Sequence, residues 1–303
     1  MFRRYPAHVC NGLIWNKNMP MHAPMTSSGI GSEWMELQTI RQCWLYRQLF
    51  LKLLKRDFSE RYQGSYLGLL WSFLLPLLSL LVFTFFFGII FKIRWAGQTQ
   101  GSGSLGELAL ILFIGMALYN FIAECLSRAP GFILSHSGYV KNVVFPLEML
   151  PVVMVASACL TLVVTFLAIL LLQFSIGQAP HWTVFLLPMV VLPLLFFALG
   201  LSSFLCSLGV YIRDIQQLIA PLVQLLMFLS PVFYPINALP EFIRPWLQLN
   251  PLALAIEQAR GIMLFGQLPA CIPYLISLLV GMLTMLAGTW WFARTRKGFA
   301  DVL

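Results

Sequence analysis

Carboxylates, histidines and cysteines that could run acid–base, metal or nucleophilic chemistry are all present in this sequence, but their spacing assembles no catalytic site. Glu107, Glu241 and Glu257 are too dispersed to act as a paired acid and base. His8, His22, His136 and His181 do not cluster, and Cys10, Cys43, Cys125, Cys159, Cys206 and Cys271 are scattered with no CxxC or Cys/His spacing. Neither a metal centre nor a disulfide framework is expected from that pattern. No G-x-x-x-x-G-K-[ST] run and no Gly-Lys dipeptide occurs, so the loop with which a P-loop ATPase cradles phosphate is missing. The expectation is a non-catalytic chain with no cofactor of its own.

Composition says where such a chain lives. Of its 303 residues 59% are hydrophobic and only 10% charged, far outside soluble norms and typical of a polytopic membrane protein. No Asp, Glu, Lys or Arg occurs from Tyr62 to Phe91, Met149 to Ile212, Ile215 to Pro240 or Gly261 to Ala293. A span needs about 20 apolar residues, so the longest gap must hold two, divided at the turn-rich residues 173–182. The spans expected are TM1 near 66–92, TM3 near 149–172, TM4 near 184–210, TM5 near 216–234 and TM6 near 272–293. TM2 is short by this measure: its uncharged core, Leu108 to Ala123, must borrow Glu124 and the following turn. Glu124 reads as the i, i+4 partner of Arg128, and Arg213 with Asp214 as an interface pair.

Six spans put both termini on one side. Fifteen Lys and Arg fall on that side and four, Lys92, Arg94, Arg244 and Arg260, on the other, which places both termini and the 128–147 loop in the cytoplasm. The net charge of +8 is then a basic rim facing anionic lipid, and nucleic acid is not needed to explain it. Residues 1–32 lack a continuous apolar stretch and read as a disordered leader. Residues 33–58 follow as a basic amphipathic helix lying in the interface, with Leu37, Ile40, Trp44, Leu51 and Leu54 at helical spacing. The spans occupy 62–293 and the tail 294–303.

Residues 230–251, SPVFYPINALPEFIRPWLQLNP, place proline at 231, 235, 240, 245 and 251 in otherwise apolar sequence. Proline removes a backbone donor and clashes with the preceding turn, so this cannot be one straight helix in lipid. Broken pieces are tolerated at membrane depth only when buried in protein or lining a cavity.

RDFSERYQGSYLGLLWSFLLP, residues 56–76, resembles the entry to the first span of the ABC-2-type permeases that export bacterial polysaccharides and O antigen (lipopolysaccharide). Arg56, Asp57, Arg61, Tyr62, Gly64, Ser65, Leu67, Gly68, Trp71 and Pro76 carry the likeness. SGYVKNVVFPLEMLP at 137–151, YIRDI at 211–215 and GFADVL at 298–303 resemble that family's first cytoplasmic loop, second cytoplasmic turn and tail.

The resemblance implies an all-α integral membrane protein with six transmembrane helices, an N-terminal interface helix and re-entrant gate helices at 235–260 between TM5 and TM6. It also implies a homodimer in the bacterial inner membrane with two nucleotide-binding subunits that hold the ATP and Mg2+, exporting a lipid-linked glycan. Coupling to the ATPase is expected at Tyr139, Val140, Lys141, Asn142, Phe145, Arg213 and Asp214, and the gate at Pro235, Pro240, Arg244, Pro245, Pro251 and Glu257. Aromatic faces stack on sugar rings without fixing one sequence, so Phe83, Phe86, Phe87, Tyr119, Phe228, Phe233 and Tyr234 are the expected conduit. A capsule or teichoic-acid exporter of the same family stays open, as do, further off, a secondary transporter and a membrane-embedded transferase.

Overall fold

The computed structural model describes residues 47–61, 71–90, 105–136, 138, 146–236, 240–242, 247 and 249–302, and these are helical or connecting with no strand among them. Helix α1 is Arg47–Glu60; α2 is Trp71–Thr84, continuing as a π-helical turn, Phe85–Ile90. Then come α3 (Leu105–Ser135), α4 (Met149–Ser175), and α5 (Leu187–Tyr211) entered through a 3-10 turn at Trp182–Leu186. Helices α6 (Ile215–Leu229), α7 (Pro251–Leu264), α8 (Cys271–Thr295) and α9 (Phe299–Val302) complete the order. Among the described residues four segments are long and apolar enough to cross a membrane: Leu105–Ser135, Met149–Ser175, Trp182–Tyr211 and Cys271–Gly298. Pro76–Ile90 and Ile215–Leu229 are shorter apolar helices.

Helix α3 is the axis of the bundle. Every residue from Leu110 to Leu118 is buried, as expected of a helix apolar on all sides, and α2, α4, α5, α6 and α7 pack around it. It runs on through Glu124 and the following turn, as expected of TM2, and then past Arg128 and Pro130 to Ser135, about two turns farther than expected. Charges bound the span only when they are unpaired, and these two are paired within the protein.

Helix α8 uses a narrower device. Its buried residues Ser277, Gly281, Gly288 and Phe292 form one stripe that lies against α5. A Cβ on Gly288 would fall onto the carbonyl of Gly200, and one on Gly200 onto the backbone of Thr284, so glycine lets the two backbones touch. In lipid, where apolar surface gives no drive to associate, such close approach is what holds helices together.

The expected TM5 is too long. Helix α6 stops at Leu229, and Ser230 is extended (φ −112°, ψ 147°), since the residue before a proline is pushed out of the helical region. Fifteen residues rise about 22 Å, less than the roughly 30 Å of a bilayer core. The interface helix is described only from Arg47, where Leu53 and Asp57 are its buried residues. Leu51, placed on the apolar face by its spacing, is 60% exposed, so the packed face is rotated toward Asp57. The tail is docked: Phe299 is buried against Phe292 and Tyr211, Tyr211 donates to the Thr295 carbonyl (2.8 Å), and Arg296 pairs with Glu148.

Candidate functional site

Polar and aromatic contacts gather along α3 in three places. Toward its Ser135 end, α1 is fastened to α3 and α4 by a lattice of charges. Asp57, 6% exposed, accepts from Arg128 at 2.6 Å and from Arg61 at 3.4 Å. Arg61 also pairs with Glu124 and donates to Ser157 (2.7 Å) and Thr161 (3.2 Å) on α4, while Arg128 reaches Glu124 at 3.4 Å. Two acids and two arginines thus neutralise one another, and Ser157 and Thr161 take up further donors, the condition for burying charge. Burial acts to raise the Asp57 pKa, but hydrogen bonds from Arg128 and Ser157 and the charges of Arg128 and Arg61 outweigh it. The carboxyl is held below the ordinary aspartate value.

Farther along α3, Phe233 stacks on Phe87 (centroids 5.0 Å) and tilts against Phe83 (4.6 Å), so the segment after α6 folds onto α2. Tyr119 on α3 donates to the Val223 carbonyl of α6 (3.1 Å), and Tyr234 donates to the Phe228 carbonyl (2.8 Å), covering the frayed end of α6.

Toward the Leu105 end sits Arg260 on α7, 2% exposed. Its Nε donates to the Ile111 carbonyl (3.1 Å), Nη1 to the Pro231 carbonyl (2.7 Å) and Nη2 to the Val232 carbonyl (2.7 Å), with Glu257 at 3.3 Å. The prolines that break the chain strand carbonyls in a dry place, and the fork of the guanidinium satisfies them. Gly115 makes the room: a Cβ there would stand 2.6 Å from Nη2. Helix α7 is held at both ends as well. Asn250 caps the Leu252 amide (3.0 Å) and donates to Ser230 (3.3 Å), while Thr183 and Gln173 donate to the Ile262 and Met263 carbonyls at 2.6 and 3.1 Å.

Of the expected conduit residues, Phe83, Phe87 and Phe233 meet one another, Tyr119 and Tyr234 serve carbonyls, and Phe86 and Phe228 are exposed. Tyr139, Val140, Lys141, Asn142 and Phe145, with Arg244 and Pro245 of the gate, lie outside the described residues. Arg213 and Asp214 are both exposed in the α5–α6 turn and no ion pair joins them, which corrects their reading as a pair: sequence neighbours do not face each other. In the gate Pro251 opens α7 behind the Asn250 cap, Glu257 pairs with Arg260, Pro235 is half-buried and Pro240 exposed. The sequence places Arg260 with Glu257 on the second gate helix and counts it among the outer-face bases, but gives it no carbonyls to hold. The signal that could have found it is a lone base among apolar residues, three positions after an acid and following a proline-broken stretch that must strand carbonyls.

The chain is 28% identical over 267 residues, 88% of its own length and 99% of the relative's, to the O-antigen export system permease protein RfbA of Myxococcus xanthus. It is 24% identical over 258 residues, 84% of its length and 95% of the relative's, to a protein of the same name from Klebsiella pneumoniae. A second Klebsiella pneumoniae protein of that name is 23% identical over 257 residues, 84% and 95% of the two chains. The family model described as ABC-2 type transporter matches residues 48–264, from the charge lattice on α1 through the Arg260 clamp on α7. With its apolar helices and most of its length matched in this way, the chain is a multi-pass membrane protein that belongs to the ABC-2 type transporter family.

Proposed function

We propose that this chain is the membrane subunit of an ATP-driven exporter that carries a lipid-linked, O-antigen-like glycan across the bacterial inner membrane. The observation that carries the reading is near end-to-end similarity to three proteins named as O-antigen export permeases. In this reading the shorter apolar helices α2 and α6 complete six spans with α3, α4, α5 and α8. The broken segment and α7 form the re-entrant gate, and both termini are cytoplasmic. Two copies of the chain work with two ATPase subunits that hold ATP and Mg2+.

The charge lattice supports a route for coupling. An ATPase that closes beneath the membrane would press on Tyr139 to Phe145, on the exposed Arg213–Asp214 turn and on α1, and α1 is keyed into α3 and α4 through Asp57, Arg61, Glu124 and Arg128. A push there moves the bundle as a rigid body. A uniformly anionic polymer such as teichoic acid would want basic side chains at the outer mouth. Arg260 is consumed by carbonyls and Glu257, which favours a weakly charged glycan.

Co-purification with the ATPase subunit tests the assignment. The chain should hold that subunit and raise its turnover, and depleting the chain should leave a lipid-linked glycan accumulating in the membrane, identified by mass spectrometry. A chain that neither binds an ATPase nor leaves a glycan behind on depletion is not such a permease.

A further inference from the structure

Five uncharged polar side chains lie exposed on two apolar helices, facing neither the protein core nor any hydrogen-bond partner among the described residues: Asn120 and Ser127 on α3, Gln216, Gln217 and Gln224 on α6. On α3, Asn120, Glu124, Ser127 and Gly131 recur at i, i+4, i+7 and i+11, which puts them on one face, and this face is where an otherwise buried helix opens to the outside. On α6 the buried residues Ile215, Ile219 and Val223 face α3. At 100° per residue, Gln217 and Gln224 stand on nearly the opposite side from them, Gln216 falls between, and the exposed Leu218, Leu222, Leu225 and Leu229 form a separate stripe. Gln216 joins the two sets, since a Cβ on Gly131, on the open face of α3, would stand 3.5 Å from its Nε2, and Gln217 and Gln224 continue from it round α6, away from α3. Asn120 is the midpoint of Leu105–Ser135 and Gln224 lies well inside α6, so both fall deep in the apolar layer. An amide turned to hydrocarbon there is strongly unfavourable, whereas the leucine stripe suits lipid.

We propose that Asn120, Ser127, Gln216, Gln217 and Gln224 form a polar strip along which a neutral, hydroxyl-bearing polymer passes. This rests on the exporter assignment above and names the side chains that meet its substrate. Amides and hydroxyls both donate and accept, as do the hydroxyls of a sugar chain, so the strip exchanges partners without fixing a sequence. It carries no net charge, because Glu124 on the same face is neutralised by Arg61 and Arg128. A polyanion would find no base to hold it on this path. The Tyr119–Val223 bond stands beside Asn120 and Gln224, and the Phe83–Phe87–Phe233 cluster lies beyond them toward the Leu105 end, so the polar path ends at an aromatic closure.

The test uses whole cells carrying the complete transporter and their own lipid-linked glycan. The Asn120→Leu/Gln224→Leu double variant suits lipid and preserves size, so its abundance in the membrane should match the unsubstituted chain. Glycan at the cell surface should fall about tenfold, the effect of removing hydrogen-bonding groups worth about one to two ordinary bonds, and Asn120→Ser/Gln224→Asn should recover most of it. Undiminished export by the leucine variant overturns the strip. A second measurement does not depend on export: single cysteines at 120 and 224 in a cysteine-free chain, treated with a small thiosulfonate reagent, should react more slowly when glycan synthesis is on than when it is blocked. Equal rates overturn the strip, and so does complete disulfide formation between copies at 224, which would make this face a contact between subunits. If the unsubstituted chain exports nothing, the exporter assignment itself fails and takes the strip with it. If it exports and the leucine variant does too, only the strip fails.

Discussion

Arg260 brings a full charge into a place closed to water and spends it on main-chain carbonyls, three of them within 3.1 Å. Arg260→Ala should leave those carbonyls stranded and cost about 3–5 kcal/mol, with Arg260→Lys intermediate because an ammonium has no planar fork. Thermal unfolding of the purified chain in detergent reads both. Asp57 gives a pH dependence. Its folded pKa lies below the ordinary value of about 3.9, so the docking of α1 that its charge provides is fully present above that value and is lost as pH falls through the lower folded one. A spin-label distance between α1 and α4 should therefore stay constant from pH 7 to about pH 5 and lengthen only below about pH 4. Asp57→Asn should show the lengthened distance at neutral pH. In the sequence Asp57 and Arg61 stood out only by family likeness, and Glu124 only with Arg128. Which of these groups close on one another is decided by the packing of α1 against α3 and α4, a contact between segments 71 residues apart that no local spacing encodes.

At the scale of the elements, charge gaps and proline positions found α4, α5 and α8 to within a few residues because those helices carry no interior charge. They fell short on α3, which runs about two turns past the expected Glu124 turn, and overran on α6, where a single serine–proline step ends the helix five residues before the expected span does. The Asn250–Pro251 start of α7 was legible, since an Asn cap with proline at the first helical position is a local signal. Glycine packing was not legible, because only the partner backbone says which glycines are contacts. Gly288→Val should force α5 and α8 apart and lower the melting temperature by several degrees, roughly the effect of 1–3 kcal/mol of overpacking, while Gly261→Ala, whose Cβ would meet the Gln267 side chain at an ordinary 3.6 Å, should change little.

For the whole molecule, the helices hold one another at both ends of α3, through charges near Ser135 and through Arg260 near Leu105, and leave α6 attached mainly by one narrow face. Substituting Lys141→Glu and Phe145→Ala should uncouple ATP turnover from export while the chain remains inserted, measured by comparing ATPase rate with surface glycan in the same cells. The most direct measurement is transport by inverted inner-membrane vesicles bearing the chain and its ATPase, loaded on their outer face with the cell's lipid-linked glycan. Glycan should become protected inside the vesicles only when the chain, the ATPase and hydrolysable ATP are all present. Protection of equal extent without the ATPase or without ATP, or none with all three, would contradict an ATP-driven export permease.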